Sequence, residues 1–213
     1  MNQKQVWETI ANSWSNLRVK PWREVEEFSE KVFHGIVLDV GCGNCRNLVP
    51  FLNKKIKCIG LDFSKNMIKE SKIFLKRRDL ETSLIVANSE KMPLKNDCVN
   101  AIICTNVIHN INSKEKRIAA LKDMDRVLKQ NGKILLSVWN RCQKRFLLNF
   151  ILSFFSSHYS DVFVDWNYHG KKYKRFYHLY TKNELETDLR LAGFNKIKIW
   201  NDKRGNIWSL VEK

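Results

Sequence analysis

Four residues at fixed spacing stand out for the chemistry they could do. Asp39, Gly41 and Gly43 lie in "VLDVGCGNCRN" (residues 37–47), and Asp62 follows Gly41 by 21 residues. Glycines just after a strand let the backbone turn sharply and let a ligand approach where a Cβ would block it. A carboxylate closing the next strand stands where it meets ribose hydroxyls. Together they describe a loop that holds a nucleoside-bearing cofactor. The same stretch contains Cys42 and Cys45, a C-x-x-C pair whose spacing also serves thiol redox chemistry or metal binding. That reading needs both thiols exposed at a helix start and leaves the glycines and Asp62 without a role. The cofactor loop is preferred, with the thiols incidental and no metal site. A dinucleotide loop would continue to G-x-G-x-x-G, and position 46 is Arg.

These residues need elements to hold them. "GIVLDV" reads as a short buried strand, followed by a helix over "RNLVPFLNK". "IKCIGLD" is a second strand, and Ser64 caps a helix over "SKNMIKESKIFLKRR". "SLIVA" and "VNAIICT" are the third and fourth strands. "SKEKRIAALKDMDRVLK" is a long amphipathic helix that Asn131-Gly132 should end, leading into "KILLSVWN". After an irregular aromatic-rich segment come a helix over "TKNELETDLRLAG" and two closing strands, "NKIKIW" and "NIWSLVEK". Strands alternating with helices predict an α/β fold with a mainly parallel sheet, and the closing pair predicts a hairpin with one antiparallel strand.

Composition sets the class. A chain of 213 residues suits one domain with a sizeable core or one domain plus a modest appendage, and 44% apolar residues with 12 Phe and 7 Trp exclude general disorder. Cys58 and Cys104 sit in apolar runs as small hydrophobes. "MNQKQVWETI" lacks the apolar core of a secretory signal, and the longest apolar run, Phe146 to Phe155, is about half the roughly 20 residues of a membrane span. The expectation is a reduced, soluble, intracellular protein that does not enter a membrane. A net charge of +16 and a pI near 9.7 point to a polyanionic partner. "LKRRDL" and "GKKYKRFYHLY" favour single-stranded RNA, since aromatics interleaved with cations can stack bases while the cations meet phosphates. A solvated basic surface is the bland alternative.

"VLDVGCGNCRN" resembles the first motif of class I S-adenosylmethionine-dependent methyltransferases, D-x-G-x-G-x-G, with Asp39, Gly41 and Gly43 matching and Cys45 replacing the last glycine. "GLDFS" resembles their second motif, and "ANSEKMPLKNDCVNAIICTNVIHNI" their third and fourth. The resemblance places Asp62 on the ribose, Asn88 (where the family commonly has Asp) on the adenine amino group, and Ser89 and Thr105 in the same cofactor pocket. Over nearly the whole chain the sequence resembles the wobble-uridine tRNA methyltransferases that convert 5-carboxymethyluridine into its methyl ester. Trp7, Ile10-Ala11, Trp14-Ser15, Arg18 and Pro21-Trp22 match the N-terminal pattern of that family; His109 and Arg117 match its V-I-H-H and basic step, with Asn110 departing from the second His; Trp139 matches its fifth strand. The resemblance implies a Rossmann-like fold of seven strands, mostly parallel with an antiparallel C-terminal hairpin strand. It also implies one domain over residues 1–213, with a helical arm at 1–30 and an aromatic, basic insertion at 141–180 near the substrate.

A carboxylate nucleophile is already ionised near neutral pH, so no general base is required. What is required is in-line placement, which can supply about 7 to 11 kcal/mol, and groups that hold the carboxymethyl anion. Arg18, His109 and Arg117 are the candidates, Arg because it grips a carboxylate bidentately; a surface arginine, a packed histidine and a solvated helix residue are the respective alternatives. Trp139 either walls the pocket or is plain core. The family works on tRNA with a small zinc-binding activator protein, which implies a heterodimer here, in the cytoplasm or also the nucleus. "SLIVANS", expected at a sheet edge, offers unpaired backbone groups for strand addition. Two other readings stay open: a small-molecule methyltransferase, which leaves the charge unexplained, and a catalytically impaired RNA-binding or scaffold subunit, suggested by Cys45, Asn88 and Asn110.

Overall fold

A computed structural model describes residues 2–146 and 160–213. The apolar run from residue 147 onward, and the part of the 141–180 insertion at 147–159, lie outside the described residues. The chain opens with α1 (Gln3–Asn16) and α2 (Arg23–Ser29). Then strands and helices alternate: β1 (Ile36–Val40), α3 (Val49–Leu52), β2 (Lys57–Asp62), α4 (Lys65–Lys76), β3 (Ser83–Val86), β4 (Val99–Thr105), α5 (Lys114–Val127) and β5 (Leu128–Trp139). A hairpin of β6 (Asp161–Tyr168) and β7 (Lys171–His178) precedes α6 (Lys182–Leu191), β8 (Lys196–Asn201) and β9 (Asn206–Glu212).

The seven strands are ordered β3-β2-β1-β4-β5-β9-β8; the first five run parallel, and β9 is antiparallel to both neighbours. Val37, Leu38, Asp39 and Val40 are all buried, as a parallel strand covered on both faces requires. On one face Ala120, Leu121 and Met124 of α5 meet Leu185 and Leu189 of α6. On the other, Val25 and Phe28 of α2 pack with Phe51, Ile68 and Phe74. Ser64 caps α4 as expected, accepting from Met67 N–H, and side-chain caps also start α5 and α6, where Ser113 accepts from Lys116 and Thr181 from Glu184. The edge position expected for "SLIVA" is the one β3 holds.

Three elements differ from expectation. The helix over "RNLVPFLNK" shrinks to a 3₁₀ turn (Arg46–Leu48) and the single turn α3. Asn131 does not end α5, which stops at Val127; it sits inside β5 with φ 62°, in a bulge where the pairing jumps from Val99–Leu128 to Ala101–Lys133. The aromatic-rich segment is not irregular: over residues 161–178 it is a regular hairpin with His169 and Gly170 at positive φ in its turn. His178 pins the base of this hairpin, its Nδ1 lying 2.6 Å from Asp161 Oδ1 and its Nε2 2.7 Å from Glu184 Oε1 on α6. Among the described residues, no helix is long and apolar enough to cross a membrane.

Candidate active site

Parallel strands leave their ligand crevice at their C-terminal ends, and here a cleft of about 1730 Å³ opens there. That exceeds the roughly 300–1,000 Å³ of a single small-ligand site and leaves room for a cofactor and a second molecule. The loop after β1 is stitched to β2 by Gly41 and Cys42 N–H groups donating to Leu61 O at 2.7 and 2.9 Å. Gly41 and Gly43 have φ of 69° and 56°, and a Cβ on them would lie 2.4 Å from Val107 Cγ2 and 2.8 Å from the Trp14 ring. Neither position accepts a side chain.

Asp62 closes β2 beneath this loop. Its Oδ2 accepts from Gly43 N–H (3.0 Å) and its Oδ1 from Ser64 N–H (2.9 Å). Burial pushes its carboxyl up to about 6, with those N–H groups holding it back from rising further. Asp39 lies behind the loop, 1% exposed, and neither carboxylate oxygen has a hydrogen-bond partner among the described residues. Burial and the neighbouring Asp62 drive its pKa well above the ordinary range, with Arg46 opposing. A buried, unpartnered carboxylate beside a glycine loop fits a cationic ligand, and Asp62 keeps lone pairs for a diol; an adenosyl sulfonium with an amino-acid ammonium meets both demands. Asn88 and Ser89, just past β3, also line the cleft. So does Thr105 at the end of β4, whose Oγ1 accepts from Asn47 Nδ2 at 2.8 Å.

The thiols take no part. Cys42 and Cys45 are buried and unbridged. Their mutual hydrogen bond and burial raise the Cys42 pKa well above the thiol range, the opposite of what a reactive thiolate needs. Cys45, standing where the motif has glycine, adopts φ 64°, and its Sγ fills the space over Gly60, where a Cβ would meet it at 2.9 Å.

The other half of the cleft is built by the N-terminal arm and the β6–β7 hairpin. Glu8 of α1 caps α4: Oε1 accepts from Lys65 N–H at 2.8 Å, and Oε2 from Asn66 N–H and Ser64 Oγ at 2.8 and 3.0 Å. Burial opposes ionisation of Glu8, but these donors outweigh it and hold the carboxyl below its usual range. Gln3 ties α1 to β7 through Lys174 O and Phe176 N–H, and Asn44 Nδ2 donates to Arg18 O at 2.7 Å. Arg18, half-buried, lies between the Trp14 and Trp166 rings at 5.0 and 5.3 Å. Arg175, 6% exposed, lies 4.7 Å from Trp166 and 5.3 Å from Tyr177. Burial lowers the pKa of both guanidiniums and their proximity lowers that of Arg18 further, while Tyr177 opposes the shift on each. Neither forms an ion pair with a carboxylate among the described residues. Tyr177 stacks on Trp139 at 4.0 Å and 17°.

His109 lies on the same wall, fully buried between Trp139 and Tyr177. Its Nδ1 accepts from Trp139 N–H at 2.8 Å, which leaves the proton on Nε2, an atom without a partner among the described residues. Burial, with Arg145 and His178 nearby, pushes its pKa down to about 3. The ring is a neutral donor and not a cation. Arg117 does not line the cleft: it is 4% exposed, donates from a guanidinium NH₂ to Ile111 O at 3.1 Å, and lies 5.6 Å from the Tyr180 ring near α6. Sequence reading missed Arg175, Tyr177 and Glu8. The alternation in "KKYKRFYH", which puts Tyr173, Arg175 and Tyr177 on one face, was the available signal for the first two.

A family model described as a methyltransferase domain matches residues 38–136. The "tRNA (carboxymethyluridine(34)-5-O)-methyltransferase ALKBH8" of Macaca fascicularis is 34% identical over 136 residues, 63% of this chain and 19% of that relative, so the chain spans about a fifth of its length. The Schizosaccharomyces pombe "tRNA (carboxymethyluridine(34)-5-O)-methyltransferase" is 27% identical over 98% of this chain and 95% of its own. In fold, the chain is similar to an S-adenosylmethionine-dependent methyltransferase of Methanosarcina mazei (TM-score 0.76, 14% identity, 91% of this chain and 98% of that one). It is similar also to a methyltransferase of Haloferax volcanii in complex with the Trm112 methyltransferase activator (TM-score 0.72, 13% identity, 99% and 97%). With a methyltransferase domain over residues 38–136 and that sheet order, the chain has the Rossmann-like class I methyltransferase fold.

Proposed function

We propose that this chain is a tRNA methyltransferase that esterifies the carboxylate of 5-carboxymethyluridine at the wobble position. The observation that carries the reading is the pair Arg18, half-buried, and Arg175, buried, two guanidiniums beside the cofactor half of the cleft that form no ion pair with a carboxylate among the described residues. Such a pair is costly without an anion and suits a planar carboxylate. S-adenosylmethionine, when bound, supplies an electrophilic methyl group. The chain does the rest: Asp62 accepts from the ribose, Asp39 answers the ligand's positive charge, and Asn88, Ser89 and Thr105 line the adenosyl side. Arg18 and Arg175 hold the substrate carboxylate, His109 Nε2–H adds a neutral donor, and Trp139 stacked on Tyr177 gives the uracil an aromatic wall. No residue removes a proton, because the nucleophile carries none at neutral pH. The names of the relatives support the same substrate.

In this reading residues 1–213 form one domain, with the arm at 1–30 and the insertion at 141–180 as the substrate-side walls. The chain works in the cytoplasm or nucleus, where its tRNA is found, and pairs with a small zinc-binding activator along β3, an edge strand on which Val86 is 43% exposed, with Ile73 of α4 exposed to 44%. Incubation with radiolabelled S-adenosylmethionine and tRNA from a strain lacking the enzyme tests the activity, with and without the co-expressed activator. Label should enter tRNA as a base-labile ester. Arg18→Ala and Arg175→Ala should each lower kcat/KM by at least roughly tenfold while cofactor affinity holds. Absence of label in tRNA overturns the reading; equal activity without the activator overturns the partner.

A further inference from the structure

Phe163 on β6 is 60% exposed at the rim of the cleft. It makes a T-shaped contact with buried Phe176 at 5.7 Å and 71°, and its exposure leaves most of the ring open to solvent. The hairpin register sorts the neighbours. Phe163 is opposite Phe176, Asp165 opposite Lys174, and Asn167 opposite Lys172, so these six share one face. The other face carries Val162, Val164 and Trp166 opposite Tyr177, Arg175 and Tyr173, which build the substrate wall. On the outer face Asp165 lies 3.8 Å from Lys172, whereas exposed Lys174 has no ion pair among the described residues. Lys4, at the start of α1, adds a second exposed cation at the same cleft mouth.

An exposed aromatic ring with exposed cations beside it that form no ion pair among the described residues matches one repeating chemical unit, a nucleobase followed by a phosphate. It is also continuous with the cavity that takes the reacting base. We propose that Phe163 is the stacking platform for the nucleotide adjoining the methylated one, with Lys174 and Lys4 meeting the phosphates on either side. This rests on the reading of the chain as a tRNA enzyme. A base drawn out of its loop into a cleft loses stacking on its neighbours, and Phe163 restores part of that stacking at the rim.

The test is fluorescence-anisotropy binding of a labelled anticodon stem–loop RNA to the full chain, with turnover of free 5-carboxymethyluridine as the companion measurement. Phe163→Ala should weaken RNA binding roughly tenfold or more, Phe163→Trp should retain it, and Lys174→Ala should weaken it more at low salt than at high. Cofactor affinity and turnover of the free nucleoside should be unchanged by Phe163→Ala. Unchanged RNA affinity overturns the platform, and so does an equal loss with the free nucleoside, which would make Phe163 part of the cavity wall. If the stem–loop shows the Phe163→Ala loss but its carboxylate is never methylated, the platform stands and the esterification reading falls.

Discussion

At the scale of single residues, the two buried aspartates set how the site responds to pH. Burial pushes the Asp62 carboxyl up to about 6, so below that value it takes a proton and, in its proposed role, loses acceptor capacity toward a ribose. Cofactor affinity should therefore fall as the pH drops through about 6, and calorimetry that finds a flat profile there would remove Asp62 from the site. Asp62→Ala should cost roughly 1.5 to 3 kcal/mol of binding with the fold intact. Stability moves the other way. Between the ordinary value of 3.8 and about 6 the folded chain keeps a proton that the unfolded chain has released. Ionised Asp62 thus lowers stability by on the order of 3 kcal/mol, an effect absent well below pH 4 and complete above about pH 6. Arg117 makes the contrasting case: Arg117→Met should lower Tm by several degrees, at about 2–4 °C per kcal/mol, and leave the KM for RNA alone. A raised KM with a normal Tm would return it to the site. Arg117 and Arg175 show what can be read from sequence and what cannot. Each is an arginine that follows a lysine in a basic stretch of the chain, and only the packing of α5 against α6 buries the first away from the cleft while the hairpin turns the second into it.

At the scale of elements, legibility followed the period of the apolar residues. β1 and β4 are short continuous apolar runs, and Ser64 and Ser113 stand at the starts of their helices, so the parallel sheet and the glycine loop were readable. The β6–β7 hairpin was not, because its outer face mixes Phe163 and Phe176 with lysines and an aspartate, which blurs the alternation. Nor was the role of Glu8, whose partners Ser64, Lys65 and Asn66 lie more than 50 positions away, in the first turn of another helix. Glu8→Ala should leave those N–H groups without their carboxylate, costing about 1–2 kcal/mol. The loss should be local: faster hydrogen exchange over residues 3–16 and lower turnover, since Arg18 sits at the end of that arm, with the sheet still protected. Uniform loss of protection would mean that α1 is integral to the core.

For the whole molecule, the charge of +16 should appear as a salt response confined to one ligand. Steady-state titrations should show the KM for tRNA rising steeply with salt, because bound phosphates displace counterions, while the cofactor Kd stays nearly level. A salt-independent KM would mean that the basic surface does not face the RNA. One feature of the sheet bears on how the molecule is made. β9 follows β8 in the chain yet lies inside it, between β5 and β8. As the ribosome extends the chain, β8 emerges first and finds no strand to pair with, since the exposed edge of β5 is reserved for β9. The Rossmann half up to β5 can collapse while synthesis continues, but β8 must wait as an unpaired strand for residues 206–212. During that interval β5 and β8 both have unpaired edges, which are open to wrong pairing until β9 fills the place between them.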